Sequence, residues 1–380
     1  MISKSKIITL LTASLLILGL ASCSVKNNPS KPAVERMKHP SYYTVNALFL
    51  EKNGEILIGS NSGLETGKFD GHEIELYKNY GSKTSPKIVS SVVKAIAQGE
   101  DYVLIGTNRG LSIAELDGKQ KIKNVKTYSI DSTPALPVNN VKDIKIWGDL
   151  AVIGTYHGGV VLAKIDKENI SLKDFRIYNE KSTPALKGTA VTSIAIDHKT
   201  NSVLIGTIGE GLIIAKLDKK ATSFTQIKAY SKPEIAHSFV RDVAFSGKDN
   251  LLALATRGGL TFATFNNEKL ENIHNYNTKN SPQLPSDRIH VIEFNNAGTK
   301  VAFSILSRGV FVANVSQDGK LSNIITYNKK NTPLLPSNYI YALTFSKNGS
   351  KLIIGAENKD LAIIDLDKRG NDNVKLTSQI

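Results

Sequence analysis

From residue 41 onward, short apolar runs alternate with polar and glycine-containing breaks, and the runs repeat. An apolar pair followed by Gly-Thr or a variant stands at Ile58-Gly59-Ser60, Ile105-Gly106-Thr107, Ile153-Gly154-Thr155, Ile205-Gly206-Thr207, Leu254-Ala255-Thr256, Phe303-Ser304-Ile305 and Ile354-Gly355-Ala356. Successive Gly-equivalent positions are 47 to 52 residues apart, and such regularity over seven copies marks a repeat architecture. About ten residues before each anchor runs a V-x-x-I segment: Val45 to Leu48, Val93 to Ile96, Val141 to Ile144, Val191 to Ile194, Val240 to Val243, Ile289 to Ile292 and Ile340 to Leu343. After the anchor come a tight turn, a third apolar run such as Leu212 to Ala215, and a fourth run ending near Tyr77, Tyr128, Tyr178, Tyr230, Tyr276 or Tyr327. The period within each copy is two, which predicts strands.

Four short strands in about 49 residues match one propeller blade, since a lone four-stranded sheet buries its faces only against neighbours in a ring. The chain is therefore expected to be all-β, a seven-bladed β-propeller over residues 41–380 with four antiparallel strands per blade. Val374 to Ile380 is expected to supply the last fourth strand, so the ring needs no strand exchanged from the N-terminus, although Tyr42-Tyr43 offers an edge.

The first 40 residues carry a different pattern. Lys4 and Lys6 precede an apolar run from Ile7 to Leu20, too short for a comfortable membrane span but the length of a signal-peptide core. Leu20-Ala21-Ser22-Cys23 resembles the lipobox of bacterial lipoproteins. That resemblance implies a signal peptide over 1–22, acylation of Cys23, and a lipid-anchored mature chain in the cell envelope. Two or more acyl chains hold a bilayer firmly where one does not. Ser24 follows the cysteine in place of the aspartate that retains enterobacterial lipoproteins at the inner membrane, so the outer membrane is the expected destination in a cell that has one. Residues 23–40 are polar, contain Pro29, Pro32 and Pro40, and read as a flexible tether.

Composition narrows the function classes. Cys23 is the only cysteine, which excludes a disulfide framework and argues against a cysteine zinc site. The net charge of +14 falls to +12 once residues 1–22, with Lys4 and Lys6, are removed. Export away from nucleic acid redirects that excess towards an anionic envelope partner.

The connectors narrow the family. Ser132-Thr133-Pro134-Ala135-Leu136-Pro137-Val138-Asn139, Asn280 to Asp287 (N-S-P-Q-L-P-S-D) and Asn331 to Asn338 (N-T-P-L-L-P-S-N) enter V-x-x-I strands that lead to I-G-T turns. Over about residues 41 to 366 this resembles the two-component-regulator propeller repeats, usually the periplasmic ligand-sensing part of hybrid histidine kinases. The aromatic before I-G-T is aliphatic here, copies five and six have lost the anchor glycine, and a kinase is missing. A WD40 signature is absent, since Trp147 is the only tryptophan and no Asp follows it. The spaced aromatics of kelch blades are absent too.

Two polar sets vary between copies. The turn after the anchor carries Ser62, Arg109, His157, Glu210, Arg257, Arg308 and Lys359, and the residue after the first Val or Ile of the inner strand is Asn46, Lys94, Lys142, Thr192, Arg241, His290 or Tyr341. Positive charge and N–H donors converging on a concave mouth attract carboxylate, sulfate or phosphate groups. Candidate ligand-binding residues are thus Lys94, Arg109, Lys142, His157, Glu210, Arg241, Arg257, His290, Arg308 and Tyr341. The seven histidines show no H-x-H or H-E-x-x-H spacing, and Asp365 to Leu376 fails as a calcium loop because Leu376 replaces the required Glu. No metal, cofactor or catalytic residue is expected. The favoured expectation is a non-enzymatic, monomeric binding or scaffold protein, its partners the membrane through the lipid and an envelope protein or anionic glycan, with no nucleic acid. The alternatives are an envelope lyase or hydrolase acting on polysaccharide, with His157, His290 and Glu210 sharing a face, or an accessory ligand-sensing subunit for a separate sensor kinase.

Overall fold

The computed structural model describes residues 43–376, except 119, 133–135, 219, 221–222, 247, 249, 358 and 369–373. The expected signal peptide, Cys23, the tether and Tyr42 lie outside the described residues. The described chain forms seven four-stranded antiparallel sheets, each built from consecutive strands in chain order. The inner strands, Val45–Leu50, Val93–Gln98, Val141–Trp147, Val191–Asp197, Val240–Ser246, Ile289–Phe294 and Ile340–Phe345, each adjoin the next, and the seventh adjoins the first. The result is the expected seven-bladed β-propeller.

The V-x-x-I segment needs a departure from simple alternation. In a regular strand, residues three apart point to opposite faces, yet Val141 and Ile144 are both fully buried. A register break reconciles them: Thr155 pairs with Val141 and Gly154 with Asp143, which leaves Lys142 as the extra residue. The same break follows the first inner-strand residue in every other blade. A bulge of this kind redirects the extra side chain, here the second residue of each V-x-x-I.

The anchor glycine makes room for the next blade. A methyl group built on Gly106 would lie 2.6 Å from Val141 Cγ1 and 3.1 Å from Ile144 Cδ1, and Gly59, Gly154 and Gly206 face the corresponding residues of their own neighbours. Gly355 closes the circle, since its added methyl would lie 2.4 Å from Val45 Cγ1. In blade six Ser304 replaces the glycine and donates its hydroxyl to the Ile340 carbonyl across the seam, 3.0 Å. The following Thr closes the turn: Thr155 Oγ1 donates to the Gly159 carbonyl at 2.8 Å. Gly159 is required there, because its φ is 84° and a Cβ would meet the Tyr178 carbonyl oxygen at 2.2 Å.

Outer strands are stitched by the repeated tyrosine. The Leu172 amide donates to the Tyr128 hydroxyl at 2.7 Å, and the Ile122, Leu270 and Leu321 amides donate to the hydroxyls of Tyr80, Tyr230 and Tyr276. Blade one is corrected here, since Tyr80 and not Tyr77 holds this position; Tyr77 is exposed. At the closing seam Tyr43 and Val45 pack with Ala342, Ile353 and Ile363 of blade seven. Tyr43 is buried outside any strand and donates to Glu65 of its own blade at 2.5 Å, while Val374–Leu376 completes blade seven. Residues 377–380 of that expected strand lie outside the described residues.

Candidate functional site

Each inner strand begins opposite the end of its second strand, as in the pairing of Val45 with Ser60, so connectors and anchor turns share one rim. At this rim the seven bulge residues come together. Asn46, Lys94, Lys142, Thr192, Arg241, His290 and Tyr341 all line one cavity of about 450 Å3, together with Tyr156, Ile208 and Phe239 near the opening and Asp242 and Val291 deeper in. We call this cavity the cup. Its wall comes from all seven blades because the bulge recurs in all seven.

Among the described residues the cations of the cup have no acidic partner. Lys94 Nζ donates to Asn46 Oδ1 at 3.1 Å, Lys142 Nζ lies 4.9 Å from the centre of the Tyr156 ring, and the Arg241 guanidinium lies 4.9 Å from that of Phe239. Burial, then repulsion from Lys142, lowers the pKa of Lys94, and burial lowers that of Lys142. Arg241 is held below the usual arginine range by burial and by Arg257 and Arg288. Burial and Arg241 push His290 down to about 4, so at neutral pH it is an uncharged imidazole, set edge-on to the Tyr341 ring at 4.8 Å. Arg241 Nε and His290 Nδ1 are buried and have no hydrogen-bond partner among the described residues. Asn46 and Thr192 spend a donor each on the Val93 and Val240 carbonyls of the adjoining blade.

Beneath the cup lies a charged layer that sequence reading missed. Asp143 accepts from the Ile194 amide at 2.7 Å and from Lys145, while Asp242 accepts from the Ile292 amide at 2.9 Å and from Ser193 Oγ at 2.8 Å. These aspartates tie blade three to four and blade five to six. A second cavity, also about 450 Å3, is lined by Lys145 and Glu293 towards the opposite rim. Burial, Asp242 and Asp143 push Glu293 up to about 8 despite the opposing pull of Lys145, and burial with Asp143 also raises Asp242. The sequence signals for this layer were a polar residue at the third inner-strand position, Asp143, Ser193 and Asp242, where other blades carry alanine or valine, and a charged one at the fifth, Lys145 and Glu293, where the others carry alanine, Phe49 or Thr344.

The turn residues are placed differently. Arg109, His157 and Arg308 are exposed on the rim, outside the cavity lining, and Glu210 packs against Gly188. Of His157, His290 and Glu210, only His290, on the bulge, lines the cup. His157 does lie edge-on to Tyr156, with ring centres 4.1 Å apart. Arg257 belongs one position earlier than assigned. Its amide bonds the Phe239 carbonyl just as those of Asn108 and Tyr156 bond Val92 and Asn140, which brings its guanidinium within 6.0 Å of the Phe239 ring. The side chain of Lys359 lies outside the described residues. Tyr156 and Phe239, aromatic walls of the cup, carried no repeat-wide signal, since Asn61 and Asn108 match Tyr156 while Val92 and Asn140 match Phe239. Among the described residues no cluster of His, Cys, Asp and Glu is placed to hold a metal ion.

The fold and cup define a β-propeller with a cationic axial pocket. Solved structures agree on the fold. The chain is similar to the WD40 β-propeller domain of Doa1, with a TM-score of 0.56, 12% identity, and 90% of this chain and 94% of that one covered. It is also similar to the extracellular domain of the putative hybrid two-component system BT3049 from B. thetaiotaomicron, with a TM-score of 0.60 and 19% identity. That match covers 82% of this chain but only 38% of the other. No protein-family profile and no curated protein matches the sequence.

Proposed function

We propose that this chain is a lipid-tethered, non-enzymatic binding protein of a bacterial cell envelope, which takes an anionic ligand or anionic group of a partner into the cup. The observation that carries the reading is the convergence of Lys94, Lys142 and Arg241 on one cavity, with no carboxylate paired to any of them among the described residues. Like charges held together at a half-buried site raise the local positive potential and favour a bound anion. The unpartnered Arg241 Nε and His290 Nδ1 add two polar atoms that a ligand would satisfy. The Leu20-Ala21-Ser22-Cys23 motif supports the anchor, and the repeat pattern supports membership of the two-component-regulator propellers.

Thermal stability of the full-length chain in detergent, titrated with sulfate, phosphate and succinate, tests the binding reading. We expect at least one of these anions to raise the melting temperature, and Lys94→Gln/Lys142→Gln/Arg241→Gln to abolish the rise. No stabilisation by any of them at millimolar concentration overturns the reading. Palmitate labelling of the wild type but not of Cys23→Ala tests the anchor separately.

A further inference from the structure

The basic side chains are not spread evenly around the cup. Lys94 and Lys142 stand on blades two and three, Arg241 and His290 on blades five and six. In a ring of seven, these pairs are three blades apart, close to opposite walls. Between them stand only neutral polar residues: Thr192 on blade four, Tyr341 on blade seven and Asn46 on blade one.

Each wall is built for one anionic group. Lys94 and Lys142 are near enough for their charges to repel, so an anion between them relieves that repulsion while gaining two ammonium donors. On the other wall the Arg241 fork and the His290 ring lie side by side, with a buried nitrogen of each lacking a partner. Guanidinium matches a carboxylate in a planar, two-point contact. The aromatic faces of Tyr156 and Phe239 hold Lys142 and Arg241 in place by cation–π contact, one on each wall. A cavity of about 450 Å3 is the size of a small-molecule site.

We infer that the cup selects a compact dianion, one acidic group held between Lys94 and Lys142 and the other by Arg241 with His290, and that its preferred ligand class is the small dicarboxylic acids. The inference rests on the reading of the cup as an anion site. It adds that two groups at a fixed separation are recognised, since a single anion reaches one wall and leaves the cations opposite unneutralised.

Isothermal titration of the full-length chain compares dicarboxylates of three to six carbons with butyrate. One member of the series is expected to bind roughly tenfold or more tightly than butyrate, with an optimum in length. Lys94→Gln/Lys142→Gln and Arg241→Gln, each checked for a wild-type circular dichroism spectrum, are each expected to reduce that dicarboxylate to the affinity of butyrate. If butyrate binds as well as every dicarboxylate, or only one wall matters, the dianion inference falls while the anion site stands. If no carboxylate binds and sulfate and phosphate also fail, both readings fall.

Discussion

Gly154 of blade three and Val191 of blade four share one small volume at the seam between their sheets: a methyl group built on Gly154 would lie 2.6 Å from Val191 Cγ1. This contact joins two motif positions that are 37 residues apart in the chain, and it recurs at the ring-closing seam as Gly355 against Val45. The glycine of one copy and the valine of the next are two halves of one packing unit.

Gly154→Val is therefore expected to destabilise the chain by about 1 to 3 kcal/mol through overpacking, since a well-packed core resists added volume. Adding Val191→Ala should restore part of the loss by removing Cγ1. Urea denaturation of both variants checks this, and an unaltered midpoint for Gly154→Val would show that the seam has slack.

Tyr80→Phe is expected to cost about 1 to 3 kcal/mol, because it leaves the buried Ile122 amide without an acceptor. Tyr77→Phe, at an exposed position three residues earlier, is expected to stay within about 0.5 kcal/mol of wild type. The contrast between the two melting temperatures tests the assignment of the outer-strand tyrosine.

Glu293 predicts a pH dependence of stability. Its folded pKa of about 8 lies above its ordinary value of 4.5, so the folded state holds a proton that the unfolded state has released. Its contribution is present below about pH 4.5 and is lost as pH rises towards about 8. Glu293→Gln cannot ionise and escapes this loss. The melting temperature of the variant relative to wild type should climb between pH 5 and pH 8.5, and a constant difference would mean that Glu293 does not titrate in this window.

His290 makes the opposite kind of switch for a ligand. An anion in the cup favours the imidazolium and raises its pKa from about 4, against the opposing charge of Arg241. Sulfate keeps its double charge over this range, so its affinity should strengthen as pH falls from 7 to 5. His290→Gln should remove that slope. A slope unchanged in the variant would assign the proton to another group.

Much of the architecture was legible because each blade is specified by residues that meet their equivalents in the next copy. Val141 packs on Gly106, and Tyr128 takes the amide of Leu172; a repeated contact leaves a repeated residue. The candidate site was half legible for the same reason. Lys94, Lys142, Arg241, His290 and Tyr341 share one repeat position and line one cavity, whereas Arg109, His157, Glu210 and Arg308 share a turn and lie outside it. Alternation could not separate the two sets, since both are simply polar.

The sequence by itself determined the repeat, the number of blades and the variable residue at the second inner-strand position of each, because these follow from local periodicity. Only the tertiary structure decided which variable residues face the axis. That choice depends on a bulge at Lys142 and its equivalents, which turns Val141 and Ile144 into the same seam, and on closure of the ring, which sets the lysines of blades two and three opposite Arg241 and His290. Side chains nearly 150 residues apart become neighbours of one cavity through closure, and no pattern within a single blade records it.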